Sequence, residues 1–229
     1  MIPLKDNIRS GSFPFVNILL ILANIAVFSV ELRQPSPKAM EHLLNQWALF
    51  SGPLINNPWG NWHRVISSMF LHGGWLHLIG NMLYLWVFGD NVEDRVGHFR
   101  YLFFYLAVGS AAMLAEVFMI SGRGGPMLGA SGAIAGVMGA YFVLYPKAKV
   151  MTAVPIFIFL KFIEIPAIFF LGFWFVIQAF QGYGSLLNMA AGANDSSGIA
   201  WWAHAGGFLA GIILIFFFRK SQKKRSFFS

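Results

Sequence analysis

The chain has 229 residues, of which 57% are hydrophobic and 11% charged, and its mean hydropathy is +0.64. A soluble domain carries about 25% charged residues, so this composition excludes an ordinary water-soluble globule and describes a protein whose surface faces lipid. With no cysteine, the sequence also excludes a disulfide framework, a thiolate nucleophile and a cysteine-ligated metal.

Apolar runs approaching the roughly 20 residues needed to cross a bilayer predict six helical spans, at about 15–31, 76–89, 100–120, 131–145, 165–181 and 202–218. The second and fourth are short. The expected fold class is an all-α membrane protein, a six-helix transmembrane bundle with a long structured first outer loop. One domain is expected over residues 1–229, with an N-terminal segment 1–14, a core 15–218 and a basic tail 219–229. The first run follows Met1 to Pro14 without the basic start and small-residue cleavage site of a secretory signal, so it reads as an anchor.

If the N-terminus is cytoplasmic, twelve Lys and Arg residues fall on that side and Arg33, Lys38, Arg64 and Arg123 on the other. Basic loops stay inside, so both termini are expected in the cytoplasm, and a bacterial cytoplasmic membrane fits. The net charge of +7 comes largely from Arg219-Lys220-Ser221-Gln222-Lys223-Lys224-Arg225. At a membrane face such a tail meets anionic lipid, and nucleic acid is not an expected partner.

About 44 residues, Leu32 to Trp75, separate the first two spans, too many for a simple connection. Trp47, Trp59, Trp62 and Trp75 suit the headgroup level, with Arg64 as a polar anchor. His77 and Asn81 follow at i, i+4 and share one helix face. The mixed charges of Gly89-Asp90-Asn91-Val92-Glu93-Asp94-Arg95 predict an aqueous loop after the second span. Glu116, in the third span, has no evident role.

Gly129-Ala130-Ser131-Gly132 opens the fourth span, and Trp202-Ala203-His204-Ala205-Gly206-Gly207 opens the sixth. Small residues four apart let helix backbones approach closely in lipid, so Gly132 and Gly136 can face Gly207 and Gly211. Before the fifth span, Glu164 and Pro166 read as helix-start chemistry. Gly182 to Gly198 reads as an outer loop able to act as a lid.

Each polar signal has a structural alternative. Ser131 can simply pack, His204 can be satisfied by a backbone carbonyl, and His77 with Asn81 can join two helices. An ionisable side chain in lipid is nonetheless a functional hypothesis whose partner must be found. All four fall in the outer half of their spans, at comparable depth. His72 reads as ordering the long loop.

Trp62 and Arg64, His72-Gly73-Gly74-Trp75-Leu76-His77-Leu78-Ile79-Gly80-Asn81, Val92-Glu93-Asp94-Arg95-Val96-Gly97, Gly129-Ala130-Ser131-Gly132 and Ala203-His204-Ala205-Gly206-Gly207 with Gly211 occur in that order. In these elements the chain resembles the rhomboid family of intramembrane serine proteases, in its basic six-span bacterial form. The resemblance implies that Ser131 is the nucleophile, His204 its general base, and His77 and Asn81 oxyanion donors. Gly129, Gly132, Gly207, Gly211, Trp62 and Arg64 would support the site. It implies no cofactor and no metal, and substrates that are transmembrane segments of other membrane proteins. One departure is Ala135, where some members carry an aromatic ring against the catalytic histidine.

No carboxylate is evidently placed to orient His204, so a Ser-His dyad is expected rather than a triad. Two other classes compete. A catalytically silent rhomboid-like protein would bind membrane clients, although such proteins typically lack the serine or histidine. A small ion or proton transporter would use His77, Glu116 and His204 as a path and predicts paired repeats, which the two halves do not display.

Overall fold

The computed structural model describes residues 1–122, 124–156, 159–191 and 199–220. The predicted spans correspond to helices α1 (Phe15–Leu32), α6 (Trp75–Val96), α7 (His98–Ile120), α8 (Ser131–Leu144), α9 (Ala167–Ala190) and α10 (Trp201–Phe218). By length and composition α1, α7, α9 and α10 can each cross a membrane, and α8 is a shorter apolar helix of 14 residues. The first long connection folds into α2 (Pro37–Trp47), α3 (Ser51–Asn56), α4 (Pro58–Asn61) and α5 (His63–Ser67), followed by one 3-10 turn, Ser68–Phe70. Ser36 caps α2 by accepting from the Ala39 N–H at 3.2 Å, and Pro37 supplies a preset first helical residue.

This connection is anchored, not loose. Leu49, Leu54, Val65 and Met69 form a buried apolar cluster with Met113, Val117 and Ile120 of α7 and with Met127. An antiparallel bridge between Leu49 and Met127 ties it to the segment leading into α8. The tryptophans proposed for the interface are exposed, from Trp47 at 49% to Trp59 at 89%.

At the opposite end of the bundle lies a feature that the helical periodicity did not predict. Strands β1 (Ile2–Asp6), β2 (Lys149–Ile156) and β3 (Phe159–Pro166) form an antiparallel sheet in that order. Ile2 lies opposite Ala153, and Ile156 opposite Phe159. Glu164 therefore does not start a helix: it stands on β3 and pairs with Lys149 Nζ at 3.0 Å. The fifth span begins after Pro166, and it runs to Ala190, so the first part of the expected lid is helix. Residues 192–198 of that segment, and residues 221–229 of the basic tail, lie outside the described residues.

Gly89 to Arg95 is likewise not an aqueous loop but the last turns of α6. Glu93 is fully buried and accepts the backbone N–H groups of Val16 at 3.0 Å and Asn17 at 2.7 Å. These are free donors of the first turn of α1, where a carboxylate is favoured by hydrogen bonding and by the helix dipole. His98 bonds the same carboxylate, and Tyr101 Oη donates to Asn17 Oδ1 at 2.9 Å, so α1, α6 and α7 share one polar knot.

The closest helix packing is between α8 and α10. A Cβ at Gly211 would overlap the Gly136 carbonyl, one at Gly207 the Gly132 carbonyl, and one at Gly139 the Phe208 carbonyl. Only glycine permits this backbone-on-backbone approach. Gly211→Val is therefore expected to lower the unfolding midpoint in detergent by several degrees, since forcing extra volume into a packed core costs about 1–3 kcal/mol. Thermal unfolding followed by circular dichroism checks this.

On β1, Asp6 accepts from Tyr141 Oη and, at 2.9 Å, from Asn91 Nδ2, joining the sheet to α8 and α6. Burial pushes its carboxyl above the ordinary range, against the Tyr141 hydrogen bond, which lowers it. The folded state thus holds the proton more tightly than the unfolded chain. Its contribution to stability is fully present below the unfolded value of about 3.9 and is lost as pH rises through the folded one. Asp6→Asn keeps an accepting oxygen, and it is expected to flatten the decline of the unfolding midpoint above about pH 4. Melting curves across pH measure it.

Candidate functional site

Ser131 and His204 each occupy the first turn of a helix, α8 and α10, at the end of the bundle opposite the sheet. The glycine contacts between these helices set their separation. His204 Nε2 lies 2.8 Å from Ser131 Oγ, a hydrogen bond of ordinary length. Both side chains line a cavity of about 830 Å³, together with His77, Asn81, Glu116 and Trp174.

The start of α10 is fixed by Glu116. This carboxylate, on α7 and 6% exposed, accepts the Ala203 N–H at 2.8 Å. The acid that had no role in the sequence holds the residue next to His204. The His204 ring is bounded by Trp174 of α9, with ring centroids 5.8 Å apart and 38° between planes, and by Trp201 at 6.3 Å and 87°. With Ala135 too small to reach the ring, these tryptophans occupy its surroundings. Its other nitrogen, Nδ1, lies 2.7 Å from Gln178 Oε1 of α9. Sequence reasoning passed over Gln178, although a glutamine within the apolar run Ile168 to Phe180 was the available signal.

His77 enters from the start of α6. Gly129 has φ of +123°, a conformation that disfavours side chains, and its N–H donates to the Ser68 carbonyl at 2.9 Å. A Cβ there would lie 2.7 Å from His77 Nε2, so the missing side chain is what lets the imidazole approach the turn before Ser131. Asn81 sits one turn below His77 on α6, and its Nδ2 lies 3.0 Å from His72 Nε2.

His72 takes part in this site more directly than its place in the long loop suggested. Its backbone N–H donates to both oxygens of Glu31 on α1, at 3.0 and 3.2 Å, and Nδ1 lies 3.3 Å from the Phe70 carbonyl. Burial, and then nearby His77, pushes the His72 imidazole down to about 4. It is neutral at physiological pH, with Nδ1–H donating to Phe70 and Nε2 accepting from Asn81. Asn81 is thereby oriented by a buried histidine.

The residues expected to support the site divide into two sets. Gly129, Gly132, Gly207 and Gly211 make the close approaches described above. Trp62 and Arg64 do not line the cavity: Trp62 is 61% exposed, and Arg64 Nε is buried with no hydrogen-bond partner among the described residues.

Comparisons with known proteins cover much of the chain. The family model described as "Rhomboid domain" matches residues 59–221. "Rhomboid protein 1, mitochondrial" of Saccharomyces cerevisiae is 29% identical over 165 residues, 70% of this chain and 43% of that protein. "Rhomboid-like protein 11, chloroplastic" of Arabidopsis thaliana is 25% identical over 159 residues, 69% of this chain and 53% of that protein. "Rhomboid protease GluP" of Bacillus subtilis is 43% identical over 81 residues, 35% of this chain and 15% of that protein. The chain spans about half or less of the length of these relatives.

Removing the Glu116 carboxylate leaves the Ala203 N–H without that acceptor. Leaving a buried donor unsatisfied costs about 1–3 kcal/mol, so Glu116→Ala is expected to lower the unfolding midpoint by several degrees. Glu116→Gln, which keeps an accepting oxygen, is expected to lose less. Thermal unfolding of both variants in detergent makes the comparison.

Proposed function

Since this chain is an integral membrane protein that belongs to the rhomboid family, we propose that it is an intramembrane serine endopeptidase acting through Ser131 and His204. The observation that carries this reading is the 2.8 Å approach of His204 Nε2 to Ser131 Oγ in a cavity among apolar helices that His77, Asn81 and Glu116 also line. A serine hydroxyl is a weak nucleophile until a base accepts its proton, and a histidine within hydrogen-bond reach is the minimum requirement.

In the proposed mechanism Ser131 Oγ attacks the carbonyl carbon of the substrate peptide bond as its proton passes to His204 Nε2. The resulting imidazolium protonates the leaving amine, and the bond to nitrogen breaks. Water then attacks the acyl carbon as His204 takes its proton, the bond to Ser131 Oγ breaks, and the imidazolium returns the proton to Oγ, releasing the acid and restoring Ser131. The tetrahedral oxyanion is stabilised by the Ser131 backbone N–H at the positive end of α8 and by His77 and Asn81. The cavity of about 830 Å³ gives room for the water that hydrolysis needs among apolar helices.

The substrates of this reading are transmembrane segments of other membrane proteins, locally unwound to expose a peptide bond. The proposed setting is a bacterial cytoplasmic membrane, with the sheet and both termini in the cytoplasm and the basic tail on anionic lipid. The excess of Lys and Arg on that side supports the orientation.

In lipid vesicles, the purified parent protein is expected to cleave a tagged transmembrane peptide, and Ser131→Ala and His204→Ala to abolish cleavage. His77→Ala is expected to lower kcat by about 100- to 1,000-fold, the usual cost of losing one oxyanion donor. Unchanged cleavage by Ser131→Ala would overturn the mechanism. A parent protein inert toward a panel of such peptides would favour the client-binding alternative.

A further inference from the structure

We infer that Gln178 is a positioning residue for the proposed protease reaction: it selects the His204 tautomer in which Nε2 is free to take the Ser131 proton. This inference rests on the proteolytic reading above. A neutral imidazole carries one proton on either Nδ1 or Nε2, and only the Nδ1–H form presents a lone pair at Nε2. The Nδ1–H then needs an acceptor, because an unpaired polar hydrogen buried among apolar helices is costly. Gln178 Oε1, 2.7 Å from Nδ1, is that acceptor.

Placement on α9 supports this role independently of the distance. Gln178 lies in a stretch that is otherwise apolar from Ile168 to Phe180, flanked by exposed residues such as Val176 and Phe180. It is itself only 7% exposed, and turns inward where its neighbours turn to lipid. Trp174, one helical turn earlier on the same face, lies 5.8 Å from the His204 ring centroid. One face of α9 thus presents two elements to one ring: an indole that limits ring rotation, and an amide oxygen that fixes the proton.

An amide does this without a charge. A carboxylate at the same place would orient the ring and also favour the imidazolium, at the cost of burying an anion. Among the described residues, the ionisable groups that share the cavity with His204 are His77 and Tyr84 from α6 and Glu116 from α7. Exchanging Gln178 for glutamate adds a negative charge beside Nδ1, where the amide oxygen lies at 2.7 Å. Since the base must be neutral to act, that charge moves the acidic limb of the kcat profile to higher pH.

The test uses the full chain in lipid vesicles, with Gln178→Leu and Gln178→Glu beside the parent. Each is assayed for peptide cleavage across pH, for unfolding midpoint, and for histidine ¹⁵N shifts assigned by loss of signal in His204→Ala. Gln178→Leu is expected to fold and to lose about 10- to 100-fold in kcat with KM changed little, a fraction of the roughly 10,000-fold cost of a wrong tautomer in a serine triad. Its Nδ1–H signature at His204 should give way to a mixture of tautomers. Gln178→Glu should recover most of kcat and shift the acidic limb upward by about one pH unit.

A merely structural role would lower the unfolding midpoint of Gln178→Leu and leave the His204 tautomer unchanged. The inference is overturned if the parent cleaves and a folded Gln178→Leu matches its kcat and pH profile, an outcome that leaves the proteolytic reading standing. If the parent does not cleave at all, that reading fails instead. The ¹⁵N shifts then test the tautomer selection alone: Nδ1–H in the parent and its loss in Gln178→Leu support it, and Nε2–H in the parent overturns it.

Discussion

Backbone contact between α8 and α10 is the constraint on which the rest of the molecule depends. In lipid the hydrophobic effect does not hold two apolar helices together, so their association relies on close packing. Glycine at 139, 207 and 211 lets the two backbones meet where any side chain would intervene, while Gly132 and Gly136 make the same room for Ala112 and Val108 of α7. Ser131 and His204 stand in the first turns of these same helices, and their separation is inherited from the glycine contacts below them. A site placed at helix starts by packing of this kind is more rigid than one carried on a loop.

Buried carboxylates perform a second common task. Glu93 accepts the N–H groups at the start of α1, Glu116 the Ala203 N–H at the start of α10, and Glu31 the His72 N–H just before α6. None of the three is supplied by the segment it secures. Neither α1 nor α10 has a side-chain cap from its own N-cap residue, so the capping group comes from another helix. Local capping has become tertiary structure: each bond that satisfies a helix start also fixes the position of one span against another.

The spans, the glycine faces and the residues around Ser131, His204, His77 and Asn81 were legible because each rests on a local pattern: apolar length, four-residue spacing, or a polar group in an apolar run. What was missed rests on distant partners. The run Pro155 to Pro166 is apolar and short, and periodicity alone does not separate strand from buried helix at that length. Strand β1 has five residues, and its partner lies some 150 positions away. The charges of Gly89 to Arg95 suggested water because the sequence does not reveal that the start of α1 covers Glu93. Gln178 and Glu116 were visible as polar residues in apolar spans, yet their partners His204 and Ala203 became identifiable only once α7, α9 and α10 were packed.

The pairing of β1 with β2 has a consequence for biogenesis. Ile2 finds its partner Ala153 only after α1, α6, α7 and α8 have all been made, so β1 reaches its final place later than the four helices that follow it in the chain. Closing so large a loop carries an entropic cost that is offset only when the spans between are already assembled. The sheet thus acts as a late clasp at the end of the bundle opposite Ser131. Through Asp6, which bonds α8 by Tyr141 and α6 by Asn91, it secures two of the helices that carry the site.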